Sequence, residues 1–341
     1  METQAIVFKK IGTAELERIK LPEPRPSDVV VENIVSGVSV GTERWAYIGK
    51  RSEISFPNIP GYMGIGRITE VGEKASGWGY RKGMLINYFR GRLCPEHDKS
   101  WMGTHMAKAV VDVTPQKFDP LRLDVHNVEI LPEGLSPRKA ALAGLCGVAM
   151  RGIEMAQIPA GVKVLVTGMG VIGQYAAQVC SLKGARVCVA DIDSFRLDIA
   201  GKTGAAEWIV NSSKEKLEEK SQDIAPDGFD IIIDTSSKDT IVNTLFPLLK
   251  LRGKMVFQGW YPPPSSLDLS LASGYLPTFY FPCAHSGEAV ANAMRLAAAG
   301  YLKSEELITH SFSPHDAKKL YQMIAENKEQ FLGIIIDWSK L

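Results

Sequence analysis

As far as Ile130, apolar residues come in short β-type runs interrupted by Gly and Pro. Ala5-Ile6-Val7-Phe8, Asp28-Val29-Val30-Val31-Glu32 and Gly66-Arg67-Ile68-Thr69-Glu70-Val71-Gly72 are examples. Such runs, bounded by turn formers, predict a compact, mainly β unit. The pattern changes at Leu131-Pro132-Glu133-Gly134. Ser136-Pro137 supplies an N-cap with Pro at the first helical position, and an alanine-rich apolar helix is expected behind it. From Val162 strands and helices alternate. Val162-Lys163-Val164-Leu165-Val166 reads as a buried strand, and a helix follows to Lys183, with Gly184 placed to cap it. Arg186-Val187-Cys188-Val189-Ala190, Phe229-Asp230-Ile231-Ile232-Ile233-Asp234 and Lys254-Met255-Val256-Phe257 continue the strand set. This alternation predicts an α/β fold with a doubly wound parallel sheet, covered on both faces. Helical patterns return at Ala289–Leu296 and after Ser313-Pro314, before a final strand pattern at Leu332–Trp338.

With 341 residues there is room for about two domains. A net charge of +1 leaves no electrostatic footprint for nucleic acid or an anionic membrane. No apolar run approaches the ~18 residues of a membrane span. Met1-Glu2-Thr3-Gln4 lacks the basic end of a signal peptide. Cys94, Cys146, Cys180, Cys188 and Cys283 are odd in number and scattered, which is no disulfide framework. A reducing, cytoplasmic setting is the expectation.

Gly168-Met169-Gly170-Val171-Ile172-Gly173 follows a strand and opens a helix. The first glycine permits a tight turn, the second lets backbone approach a pyrophosphate, and the third lets helix and strand pack closely. Val171 and Ile172 begin the helix, whose N-terminus offers free N–H groups and a positive dipole end. Asp191 ends the next strand, where a carboxylate accepts the ribose hydroxyls. It would repel the 2′-phosphate of NADP, so NAD is expected. Ile192-Asp193 follow it rather than an arginine. Arg196 either flanks the adenine or is a solvated first-turn residue. Thr235-Ser236-Ser237 and Gln258-Gly259-Trp260 follow strands at their C-terminal ends. That is where an open α/β sheet binds its ligand, so Thr235, Ser236, Gln258 and Gly259 are cofactor candidates unless they are ordinary turn residues.

Val40-Gly41-Thr42-Glu43 and Gly61-Tyr62-Met63-Gly64-Ile65-Gly66 precede this glycine motif. In that order and spacing the three resemble the medium-chain dehydrogenase/reductase family, the alcohol dehydrogenase relatives. The resemblance spans nearly the whole chain. It implies a Rossmann nucleotide domain over 135–282 and a mainly β, GroES-like catalytic domain built from 1–134 and 283–341. In zinc members a Cys stands where Val40 is, His-Glu where Tyr62-Met63 are, and a third Cys or Glu ligand near Gly144. Valine, methionine and glycine side chains cannot hold zinc, which takes thiolate, imidazole or carboxylate. The four clustered cysteines of structural-zinc members are reduced to Cys94. The resemblance thus implies hydride transfer without a metal.

Thr42 holds the family's position for the hydroxyl that bonds the substrate oxygen and starts a proton relay; it could also be a turn hydroxyl. Glu43 and Arg44 either pair with each other or are exposed. Tyr62, in place of the metal-binding histidine, could donate a hydrogen bond to developing negative charge, or simply fill the hole left by the metal site. Its free pKa of about 10 would need lowering before it could act as a base near neutrality. His105 lies where the family has an aromatic lining the substrate pocket, and a histidine titrates in the range of a base. Tyr47, Lys50 and Arg51 are expected on a specificity loop. His97, His126, His285, His310 and His315 lack ligand-like spacing, and Cys146 is expected to pack in its helix.

Shorter pieces, Ser36–Arg44, Pro60-Gly61-Tyr62, Gly259-Trp260-Tyr261, Leu307–His310 and Ile336-Asp337-Trp338, resemble a zinc-poor branch typified by 3-hydroxyethyl bacteriochlorophyllide a dehydrogenase. That likeness implies NAD-linked interconversion of a secondary alcohol (polyol, sugar-derived, otherwise cyclic or a pigment) and its ketone. It implies a homodimer or homotetramer with a small-molecule partner. Two other readings stay open: a zinc-free quinone or enone reductase, against which Asp191 argues, and a non-catalytic nucleotide-binding sensor.

Overall fold

A computed structural model describes residues 1–115, 128–261, 265–284, 286–327 and 329–341. His126 and His285 lie outside the described residues. The chain divides into two compact units: Met1–Gly144 with Val290–Gly300 and Ile308–Leu341, and Leu145–Ala289 with Tyr301–Leu307. The first division therefore falls at 144/145 rather than 134/135, and the short stretch 301–307 groups with the second unit.

The first unit is mainly β. Strands β1 (Glu2–Lys10) and β2 (Thr13–Lys20) form an antiparallel hairpin. β3 (Asp28–Val38), β4 (Gly64–Val71), β5 (Leu85–Tyr88), β6 (Lys108–Asp112) and β7 (Val128–Ile130) join a larger sheet. Its remaining two strands come from much later in the chain, β14 (Ile308–Phe312) and β15 (Gly333–Asp337). The order is β14-β15-β3-β4-β5-β7, with β6 also on β3. β3 organises the unit. Its first half pairs with β6 (Val29 opposite Val111), and its second half with β15 (Ser36 opposite Ile336). Apart from Glu32 and Ile34 it is buried along its whole length, Asp28, Asn33 and Ser36 included. Val7, Val29, Val31, Ile68, Tyr88 and Val111 share one core.

The second unit has six strands in the order β10-β9-β8-β11-β12-β13, all parallel. They are β8 (Lys163–Thr167), β9 (Arg186–Asp191), β10 (Trp208–Asn211), β11 (Phe229–Asp234), β12 (Leu249–Phe257) and β13 (Thr278–Tyr280). This is the Rossmann arrangement: the strand order reverses between β8 and β11, and ligands of open α/β sheets bind at such a switch point. The expected α/β class with a separate mainly β unit is therefore present.

Two local differences from the sequence expectation have physical reasons. The alanine-rich helix is split into Pro137–Ala140 and Ala143–Ala156. At the break the Ala141 carbonyl oxygen sits 2.1 Å from where a Cβ on Gly37 would be, so close backbone packing occupies that turn. Tyr47 is not on a loop. It ends the helix Val40–Tyr47, is buried against Phe8 and Tyr321, and its hydroxyl donates to the Gly12 carbonyl at 2.7 Å.

Candidate active site and nucleotide cradle

In the second unit the glycine motif lies in the turn from β8 into the helix Val171–Leu182. Its three glycines are there for three different reasons. Gly168 has φ +82°, the left-handed region that other residues adopt only under strain. A Cβ on Gly173 would lie 1.9 Å from the Gly168 carbonyl oxygen, so only hydrogen fits. Gly170 has neither constraint: its φ is −66°, and a Cβ there would meet nothing within 4 Å. The protein's own packing leaves that space open. No side chain caps the helix N-terminus behind it. An open cradle over free N–H groups fits a dinucleotide pyrophosphate.

Asp191 ends β9 and is 9% exposed. It accepts hydrogen bonds from the backbone N–H groups of Met169 and Asp193. Its carboxylate is thereby fixed beside the glycine turn. Ile192 is 61% exposed, and Arg196 is half-buried with its guanidinium 3.5 Å from Asp193. Thr235 bonds back to the turn, its hydroxyl donating to the carbonyls of Gly168 (2.5 Å) and Thr167 (3.0 Å). Thr235 thus ties the ends of β8 and β11 together. Ser236 is half-buried next to it. Asp234, fully buried, accepts from Thr167, Ser236 N–H and Tyr261 and anchors the same loop. The Gln258 amide donates to the Val148 carbonyl at 2.9 Å, while its buried oxygen has no hydrogen-bond partner. Gly259 packs on Ser237.

In the first unit the motif residues gather at the end of β3 and the start of the helix Val40–Tyr47. The Tyr62 hydroxyl donates to Ser39 Oγ at 2.6 Å, and the half-buried Thr42 hydroxyl is within hydrogen-bonding reach of the same phenol. Burial pushes the phenol above its ordinary value; hydrogen bonds with Ser39 and Thr42 pull the other way but do not reverse the shift. Tyr62 therefore keeps its proton near neutrality and is a donor, not a base. Its ring rests on Phe89 and Trp101, with centroids 5.5 and 5.4 Å away. Lys50 is exposed and lies over the Trp45 ring, and Arg51 over Trp101.

His105 is placed differently from the expectation. It is 0% exposed and lines no open surface; Nδ1 is 2.8 Å from Ser36 Oγ, and Nε2 is 3.0 Å from Glu43 Oε2. Glu43 also departs from expectation: it is neither exposed nor paired with Arg44. Its Oε2 accepts from the Tyr321 hydroxyl (2.6 Å), and its Oε1 accepts from Ser39 N–H (2.8 Å). Arg44 turns instead to the Ala325 carbonyl. Trp338 Nε1–H donates to Ser36 Oγ at 2.9 Å. Ser36 and Ser39 lie in the run Ser36–Arg44 that carries the branch resemblance, but nothing in the sequence assigns them a role, and Tyr321 carries no signature.

The positions that hold zinc in the family do not fit that metal here. Val40 has no donor atom. The Tyr62 phenol keeps its proton and is already hydrogen-bonded. Met63 is buried, with its Cγ 2.8 Å from where a Cβ on Gly144 would sit, so the thioether occupies the space a side chain at 144 would need. Among the described residues no group of three or more His, Cys, Asp or Glu could hold a metal. Cys146 is buried in its helix, and burial holds its thiol protonated.

The model of the family described as zinc-binding dehydrogenase matches residues 171–300. That span does not reach Val40, Tyr62, Met63 or Gly144. L-threonine 3-dehydrogenase of Xanthomonas campestris pv. campestris is 24% identical, over 95% of this chain and 96% of its own. A solved structure from Sinorhizobium meliloti 1021, bound to NADP, superposes with a TM-score of 0.83 at 19% identity, covering 99% of both chains. A structure described as a short chain alcohol dehydrogenase from E. coli CFT073, complexed with NADH, superposes with a TM-score of 0.82 at 20% identity, covering 98% of this chain and 99% of that one. Residues 171–300 thus match the zinc-binding dehydrogenase model, and the whole chain shares the fold of solved alcohol dehydrogenase structures. Of these two similar structures, one carries NADP and the other NADH. No helix among the described residues is long and apolar enough to cross a membrane.

Proposed function

We propose that this protein is an NAD-linked oxidoreductase that interconverts a secondary alcohol and its ketone without zinc. The observation that carries the reading is the replacement of a metal site by a hydroxyl cluster. Where zinc ligands stand in relatives, the chain has Val40, Tyr62, Met63 and Gly144, and Thr42, Tyr62 and Ser39 form an ordered line of hydroxyls. A bound nicotinamide would supply the hydride acceptor. Gly168, Gly170, Val171, Ile172 and Gly173 would cradle its pyrophosphate, with Asp191, Ile192 and Arg196 on the adenosine side. Thr235, Ser236, Gln258 and Gly259 would complete that site. The Asp191 carboxylate favours the ribose diol of NAD over the 2′-phosphate of NADP.

Thr42 would hold the alcohol oxygen. The hydride would go to the nicotinamide and the alcohol proton through Thr42 and Tyr62, whose own proton points to Ser39 Oγ, and from there to water. Because Tyr62 stays protonated, it acts as a relay member and hydrogen-bond donor. In the reverse direction the same donors stabilise charge on the ketone oxygen. The small-molecule substrate is cyclic, a polyol, sugar-derived or a hydroxyethyl pigment. We further propose a homodimer or homotetramer, acting in the cytoplasm; sedimentation at the mass of one 37.3 kDa chain would contradict the assembly.

The test is NAD reduction by EDTA-treated protein across a panel of secondary alcohols. Undiminished turnover after chelation is expected. Activity lost to EDTA and restored by zinc would overturn the metal-free reading. Silence with alcohols but oxidation of NADPH by enones would replace the reaction itself.

A further inference from the structure

The buried groups behind the hydroxyl cluster form a line in which every donor has an acceptor. Trp338 Nε1–H donates to Ser36 Oγ, and Ser36 sits 2.8 Å from His105 Nδ1. With Ser36 donating, Nδ1 accepts and Nε2–H donates to Glu43 Oε2 at 3.0 Å. The same oxygen accepts from Tyr321, and Oε1 accepts from Ser39 N–H. A neutral imidazole and an ionised carboxylate satisfy the whole set, with three donors on Glu43. An ionised group at 0% exposure persists only when it is bonded in this way. The groups come from β3, the helix Val40–Tyr47, the segment before β6, the helix Ala317–Glu326 and the last turn of the chain. A carboxylate held from that many directions has one position. Gly61 adds to this: a Cβ there would lie 2.5 Å from the imidazole, so the Tyr62 turn packs directly on the His105 ring.

We propose that Glu43 and His105 are a positioning pair: His105 and Tyr321 fix Glu43, Glu43 fixes Ser39 through its backbone N–H, and Ser39 fixes the direction of the Tyr62 hydroxyl. This rests on the reading of Tyr62 as a relay member, and it gives His105 a role that touches neither substrate nor cofactor. The arrangement does by fixed hydrogen bonds what a metal does by coordination, namely hold the group that meets the substrate oxygen in one place. The charged groups facing Tyr62 are Glu43, which raises its pKa, and Arg51, which lowers it. Tyr321 faces Glu43 from the other side, and Tyr47 stacks on Tyr321.

The experiment is NMR of the full chain carrying 13C-labelled tyrosine, with the Tyr62 Cζ resonance assigned by its disappearance in Tyr62→Phe. The variants are Glu43→Gln, Ser39→Ala and Ser39→Thr, each paired with kcat and KM. Glu43→Gln should move the Tyr62 resonance and start its ionisation at lower pH. Ser39→Ala should move the resonance, and Ser39→Thr should restore it. Both Glu43→Gln and Ser39→Ala should lower kcat by about a hundredfold with little change in KM, the cost of a misplaced group. A Tyr62 resonance and titration unchanged in folded Glu43→Gln and in Ser39→Ala would overturn the proposal. Should Glu43→Gln not fold, Ser39→Ala against Ser39→Thr decides alone. A moved resonance in a protein with no alcohol turnover would sink the relay and leave the positioning chain standing, so the two failures are distinguishable.

Discussion

Gly170 shows how far a single residue constrains function. Its backbone is ordinary and its surroundings are empty, so nothing inside the protein demands glycine. On the proposed reading the demand comes from outside, from a dinucleotide approaching the backbone. Gly170→Val should therefore leave thermal stability within about 0.5 kcal/mol, the range of surface substitutions. The same change should sharply weaken nucleotide binding, measured by cofactor fluorescence. Asp191→Ala should reduce the NAD-to-NADP affinity ratio by about tenfold, the weight of one charge-assisted hydrogen bond. An unchanged ratio would remove the basis for the cofactor preference. The glycine motif and Asp191 were legible in the sequence because both act through local geometry, within one strand-turn-helix. Glu43 was not: from its neighbours it reads as half of a pair with Arg44, whereas its partners His105 and Tyr321 lie 62 and 278 residues away.

At the level of elements, periodicity served best where burial is uniform. The central strands of the parallel sheet carry buried apolar runs such as Val164–Val166 and Ile231–Ile233 and stand out. The edge strands β10 and β13 were not foreseen: one is four residues and the other three, with partly exposed positions that blunt the pattern. The helix start at Ser136 was legible because its side chain caps it, accepting from Lys139 N–H. The Asp193 cap, which accepts from Phe195 N–H at 2.9 Å, was not read from the sequence. The Asp193 cap opens the helix Ser194–Thr203 immediately after Asp191, so it also braces the ribose end of the cradle. Asp193→Ala should cost about 1 kcal/mol in denaturant unfolding. It should weaken nucleotide binding less than Asp191→Ala does; the reverse ranking would mean that Asp193 contacts the ligand.

Across the whole molecule, several acidic side chains are buried in their protonated form. Burial pushes the thiols of Cys180 and Cys188 up to about 12 and raises Tyr62, Tyr88, Tyr175 and Tyr321 as well. In the unfolded chain these thiols titrate at about 8.5 and the phenols at about 10. Above those values the unfolded state sheds protons that the folded state keeps, so stability falls as pH rises. The contribution is complete below about pH 8.5 and should decline progressively beyond it. Denaturant midpoints measured from pH 7 to 11 should show this fall, and Cys180→Ser with Cys188→Ala should blunt its first part. The split of the first unit has a consequence for the order of events during synthesis. Most of the second unit is one uninterrupted stretch, Leu145–Ala289. The larger sheet, by contrast, needs β15 beside β3, and Trp338 on Ser36. On the ribosome the parallel sheet can close while β3 still waits for a neighbour that has not yet been translated. During that interval the short edge Val35-Ser36-Gly37-Val38 is unpaired, which is the kind of surface chaperones hold and neighbouring nascent chains pair with.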